Sequence, residues 1–108
     1  MSHITTHVLD AALGRPATGV PVSLSDETGA VLASGTTDAD GRVADLGPDA
    51  LDAGVYRLVF DTATYFAASG REAFYPRVTI DFSLADTASH YHVPVLLSPF
   101  AYSTYRGS

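Results

Sequence analysis

Acid/base chemistry near neutral pH falls to four histidines in this chain, His3, His7, His90 and His92, because it contains neither cysteine nor lysine. A free imidazole titrates near about pH 6.5 and can take up and return a proton under ordinary conditions. The missing thiols exclude disulfides, thiolate nucleophiles and thiolate zinc sites, and the missing lysines exclude Schiff-base chemistry. The stretch "HYH" sets His90 and His92 two residues apart. In a strand both would project from one face, with Tyr91 and Val93 on the other. Two readings stand: an acid/base or zinc-ligand pair, or the polar, solvent-facing side of an edge strand. His7 lies in "HITTHVLD", where Thr5, His7 and Leu9 would share a face, and the same two readings apply. His3, beside the amino terminus, is expected to take no part.

Two further segments carry polar groups suited to a site. The run "DADG" at Asp38 to Gly41 has the start of a calcium loop but continues as "RVADLG", without the later oxygen ligands and glutamate such a loop needs. It reads as a tight turn that places Arg42 at the start of the next strand, at a sheet end where its guanidinium is either an ordinary solvated charge or able to reach a cleft. The chain finishes on "YSTYRGS", a strand-like run with two tyrosines, an arginine and Ser108. No serine sits in a Gly-x-Ser-x-Gly elbow, so a Ser-His-Asp hydrolase is not expected.

The elements that must hold these residues read as short strands. "HITTHVLD" is rich in β-branched residues and closes on "AALGRPATG", a loop punctuated by Gly14, Pro16 and Gly19. "VPVSLSD" and "AVLASGTTD" alternate apolar and polar residues around the turn "ETG", the pattern of a hairpin with one face in a core. "RVADL" reads as a brief strand and "VYRLVFD" as a strong one. "DTATYFAAS" offers Asp61 or Thr62 as a helix N-cap and stops at Gly70, which predicts a helix of about two turns. "YPRVTIDFSLAD", "SHYHVPVLLSP" and "AYSTYRGS" complete the series. This spacing predicts an all-β sandwich, not alternating β and α units.

At 108 residues, 46% apolar and 17% charged, the chain is expected to fold as one domain over residues 1–108, with no linker or internal repeat. The formal charge of −6 disfavours nucleic acid and anionic lipid as partners. No run approaches the roughly 20 apolar residues of a membrane span, and "MSHITTHVLD" lacks the pattern of a signal peptide, so a cytoplasmic location is expected.

Four stretches in order, "THVLDAALGRPA", "TDADGR", "HYHVPVLLSP" and "YSTYRGS", make the chain resemble the transthyretin-like 5-hydroxyisourate hydrolases over nearly its whole length. Ala101 stands where many relatives would carry glycine. The resemblance implies a two-sheet sandwich of about eight strands with one short helix. It also implies a homotetramer of two dimers, with active sites at the ends of a central channel. The family also contains hormone carriers that lack the histidines, the arginine and the closing Tyr-Arg-Gly-Ser. By resemblance, His7, Arg42, His92 and Ser108 are the catalytic residues. His7, Arg42, Tyr105, Arg106 and Gly107 bind substrate, and His90 supports them. The implied reaction opens the six-membered ring of 5-hydroxyisourate, a product of urate oxidation, by water attack on a carbonyl, with no cofactor and no metal. Arg42 would polarise the substrate while His7 and His92 exchange protons; His92 is the preferred base, with Ser108 near the water. A non-catalytic small-ligand module and a zinc hydrolase using His7, His90 and His92 are the competing expectations.

Overall fold

Alternation along each strand decides which side chains enter the core and which are left for chemistry. The computed structural model describes residues 2–108. Strand β1 (Ile4–Asp10) buries Ile4, Thr6, Val8 and Asp10 and turns Thr5, His7 and Leu9 to the other face. The chain then forms β2 (Arg15–Pro16), β3 (Pro21–Asp26), β4 (Val31–Thr36), β5 (Gly54–Phe60), α1 (Thr62–Ala68), β6 (Val78–Leu84), β7 (Tyr91–Ser98) and β8 (Ala101–Thr104). One sheet has the order β2-β1-β7-β8 and the other β4-β3-β5-β6. The predicted eight-stranded, two-sheet all-β sandwich with one short helix is the architecture observed.

The core lies between the sheets. Phe60, Leu58 and Leu24 from one sheet meet Ile4, Val8, Val95 and Leu97 from the other, all fully buried or nearly so. Burial of each such side chain contributes about 1.5–3 kcal/mol. Helix α1 closes one edge. Its N-cap is Asp61, whose carboxylate accepts from the Thr64 amide, and Gly70 follows its end with φ +70°. Tyr65 and Phe66 of the helix face inward. The Tyr65 hydroxyl donates to the buried Asp10 Oδ2 at 2.6 Å, and Arg71 Nη2 reaches the same oxygen at 2.6 Å. Burial pushes the Asp10 carboxyl up, but the hydrogen bonds from Arg71, Tyr65 and the Leu13 amide, with the Arg71 charge, outweigh it and hold the pKa at about 2.

Two readings of the sequence change. "RVADL" is not a strand: only Arg42 pairs, through an isolated antiparallel bridge to His7. The loop before it is pinned at both ends of the turn, and the residues after Arg42 leave β1 instead of following it. The strand after "HYH" is not an edge. β7 lies between β1, which it pairs in parallel, and β8, which it pairs antiparallel. The parallel register sets Thr5 opposite His92 and His7 opposite Pro94.

Candidate functional site

Three segments far apart in sequence build the site on the outer face of the β1–β7 pair. The parallel register brings Thr5 beside His92, and the Thr5 hydroxyl lies 2.8 Å from His92 Nδ1 and 2.8 Å from His90 Nε2. A hydroxyl has one proton, so it donates to one ring and accepts from the other. With Nδ1 occupied in this way, His92 Nε2 is the ring nitrogen free for chemistry: no described residue hydrogen-bonds to it.

The second segment is the "DADGR" turn. Asp38 Oδ1 accepts from the amides of Asp40 and Arg42, and the Asp38 amide donates to the Arg42 carbonyl, which closes the loop on itself. Gly41 presses the turn onto β1, its carbonyl accepting from the Val8 amide at 2.7 Å. Its φ is +77°, and a Cβ at this position would run into the Val8 carbonyl oxygen. Only glycine lets the turn come so close. The result is Arg42 beside His7, with its guanidinium carrying no ion pair or hydrogen bond to a described residue. A cation kept unpaired in an acidic protein is free to bind a carbonyl or anionic oxygen.

The tail supplies the third segment. After β8 the chain crosses back over β7, and the Gly107 amide donates to the His92 carbonyl at 2.8 Å. Arg106 anchors the crossing, its Cζ 4.3 Å above the centroid of the Tyr91 ring. Ser108 thereby reaches a cleft of about 580 Å³, lined among others by Thr5, Asp38, Arg42, His90, His92 and Ser108.

Electrostatics suit His92 to accept a proton. Partial burial lowers its pKa below the imidazole value of 6.5, and the charges of Arg42, His7 and His90 lower it further; the contact with Thr5 works weakly the other way. His92 is therefore held toward the neutral imidazole at neutral pH, and in the tautomer whose Nδ1–H donates to Thr5 its lone pair is at Nε2. It has a hydrophobic wall on its other side. Tyr105 and Arg106 line a second cavity of about 240 Å³ with Ile80, Phe82 and His92.

A sequence model of the HIUase/Transthyretin family matches residues 4–107. The chain belongs to this family. It is 46% identical to the 5-hydroxyisourate hydrolase of Caulobacter vibrioides, covering 100% of both chains. The 5-hydroxyisourate hydrolase structure from Klebsiella pneumoniae superposes with a TM-score of 0.89 at 46% identity, covering 97% of this chain and 98% of that one. Transthyretin from Sparus aurata shares the fold, with a TM-score of 0.90 at 32% identity, covering 99% of this chain and 97% of that one.

Of the site residues expected for the family, Arg42, His92 and Ser108 line one cleft, and His7 stands beside Arg42 on the same face of β1. Gly107 backs the His92 ring. Tyr105 and Arg106 do not line this cleft; in the chain by itself they flank the second cavity and hold the tail in place. His90 is at the rim. His3 is separate: it is buried at 6% exposure, accepts from the Leu51 amide through Nδ1 and donates to the Ser89 carbonyl through Nε2. Thr5 was missed. Its only sequence signal is the face it shares with His7, and the parallel pairing that brings it to His92 is invisible in the residue order. Among the described residues, no three His, Asp or Glu side chains are grouped to hold a metal ion. His90 Nε2 and His92 Nδ1 are both engaged by the Thr5 hydroxyl.

Proposed function

We propose that this chain, as one transthyretin-like domain over residues 1–108, is a 5-hydroxyisourate hydrolase of urate degradation. The observation that carries the reading is the meeting of a neutral His92, an unpaired Arg42 guanidinium and Ser108 in one cleft. A carrier needs a cavity, but not a base with a lowered pKa beside a free cation.

In the proposed reaction Arg42 binds the carbonyl of the six-membered ring and draws electron density onto its oxygen. His92 Nε2 takes a proton from water, positioned with the Ser108 hydroxyl, as the water oxygen bonds to the carbonyl carbon. The oxyanion rests against Arg42. As it collapses, the carbon–nitrogen bond of the ring breaks and the nitrogen leaves with the proton held by His92. His7 adds a second imidazole beside Arg42 for binding and proton exchange. Tyr105, Arg106 and Gly107 hold the tail, and Gly107 keeps room for the His92 ring. Every step uses side chains of the protein and needs no cofactor.

The proposal extends to a homotetramer built as a dimer of dimers. In support, β8 is an edge strand whose residues are all exposed, and its Tyr102 forms an exposed aromatic cluster with Phe74 and Tyr75. Unpaired edges with apolar side chains call for cover. Sedimentation giving a stable monomer at micromolar concentration would remove this part. An unstable substrate must be consumed where it is made, and the cytoplasm is the proposed compartment; fractionation tests it. The function itself is tested by generating 5-hydroxyisourate with urate oxidase and following its ultraviolet decay. Acceleration above the spontaneous rate is expected, and none would overturn the reading.

A further inference from the structure

The hydroxyl of Thr5 bridges two imidazoles of one cleft that differ in exposure. His92 is half-buried in the cleft, while His90 is exposed at its rim. Both contacts are 2.8 Å and involve the same oxygen. We infer that Thr5 is a positioning residue that joins His92 and His90 into one proton relay, so that the charge created at the reacting centre can be held at the solvent-exposed ring. The inference rests on His92 acting as the base and adds to that assignment two residues and a path.

Of the two arrangements the hydrogen-bond count allows, one makes His92 a base and gives the relay. With His92 Nδ1–H donating to Thr5 and the Thr5 hydroxyl donating to His90 Nε2, His92 Nε2 carries the lone pair that accepts a proton from water. The resulting imidazolium passes its Nδ1 proton to Thr5 Oγ1 as the original Thr5 proton moves to His90 Nε2. His92 is left neutral with Nε2–H, His90 becomes the imidazolium, and the Thr5 hydroxyl is restored pointing at His92 Nδ1. No proton or electron is gained or lost. Running the chain backwards returns the proton when the leaving nitrogen takes the one on Nε2.

The surroundings favour this direction. His92 faces Arg42 and Asp38 from the turn, His7 and Thr5 from β1, and Ser108 from the tail; Asp38 is tied to its own turn by two amides. A second positive charge on His92 therefore stands close to Arg42 and away from bulk water. On His90 it is open to solvent, with Arg106 near the backbone carbonyl and not the ring.

The path needs His92 to carry its proton on Nδ1 and His90 to leave Nε2 bare toward the Thr5 hydroxyl. The test is nitrogen NMR of the neutral imidazole rings, which reads the tautomers and needs no substrate, together with kinetics. In the parental chain His92 should be protonated at Nδ1 and His90 unprotonated at Nε2. A neutral His92 protonated at Nε2 in the parental chain would overturn the relay. In kinetics, Thr5→Val and His90→Ala should each lower kcat about tenfold with little change in KM, and the double variant should lose no more than either. Thr5→Ser, which keeps the hydroxyl, should restore most of the loss. Losses that multiply to about 100-fold in the double variant, or a Thr5→Val enzyme with parental kcat, would also overturn it. Should Thr5→Val fail to fold, the parental tautomers and Thr5→Ser still decide. A chain with no hydrolase activity but the expected tautomers would sink the proposed function and leave the hydrogen-bonded chain standing.

Discussion

Gly107 backs directly onto the imidazole of His92: a Cβ built there would stand 2.5 Å from Cδ2 and 3.2 Å from Cγ of the ring. The same glycine donates its amide to the His92 carbonyl, so tail and strand are locked with no space for a side chain between them. The position of the ring in the cleft is set by backbone that approaches it from the tail. Gly107→Ala should push the ring off Thr5 and out of line with Arg42. A displacement of about 1 Å at a reacting group can lower the rate roughly 100-fold. Turnover should fall by that order while circular dichroism is unchanged. Parental turnover in this variant would mean that the orientation of His92 does not matter.

The low pKa of His92 has a consequence for the pH profile. A base of lowered pKa stays active until the pH falls below that value, so the acid limb of kcat/KM should lie under the ordinary imidazole value of 6.5. Burial is the largest cause and the Arg42 charge the next. Arg42→Gln removes the second, so the pKa of His92 rises and the acid limb moves to higher pH. The same change removes the group that stabilises the oxyanion and should lower kcat by about 100- to 1,000-fold. A limb that stays put, or moves to lower pH, would take the base role from His92.

Asp10 predicts the acid stability of the fold. Its carboxyl titrates at about 2 in the folded chain against 3.8 as the reference value. The folded value is depressed, so the contribution is fully present above pH 3.8 and is lost as the pH falls toward 2. The size is about 2 kcal/mol. Asp10→Asn should lower stability by about 3 kcal/mol near neutral pH, because it leaves the Arg71 cation without its buried counter-charge. It should also flatten the stability curve between those two pH values. Urea unfolding across pH, with the midpoint of each curve compared, measures both effects.

The strands were legible because alternation is a local property. β5 and α1 fell where Tyr56, Leu58 and Phe60 and the Asp61 cap placed them. β2 was hidden in a loop, since a strand of two residues with a proline has no pattern of its own. The candidate site was half legible: Arg42, His92 and Ser108, which line one cleft, could be named from the motifs that resemble the family, while Thr5 beside them could not. Residue order shows which side chains share a face, but not which strand lies alongside, and the parallel pairing of β1 with β7 is a non-local choice of the whole sandwich. His3 shows the same limit. Nearness to the terminus suggested a bystander, yet its ring joins Leu51 to Ser89 across the fold. His3→Ala should keep the kcat of the parent and lose about 1–3 kcal/mol of stability, read by thermal unfolding, because two buried backbone groups lose their partner.

The tail is the segment where fold and chemistry can be separated by one deletion. Tyr105 is 58% exposed, and residues 105–108 add only one bridge to the sheet, between Gly107 and His92. Their loss removes little buried apolar surface, so the core between the two sheets should survive. What goes is Gly107 behind the His92 ring, the Arg106 clamp on Tyr91 and the Ser108 hydroxyl in the cleft. Removal of residues 105–108 should therefore abolish measurable hydrolysis while leaving a β-rich circular dichroism spectrum and a cooperative unfolding transition. Ser108→Ala in the full chain divides the effect further: if the hydroxyl positions water, this change alone should lower kcat by about tenfold or more with KM little changed. A truncated chain with full activity would make the tail dispensable. A truncated chain that no longer folds would assign it to the sheet, and Ser108→Ala would then carry the question of its chemistry alone.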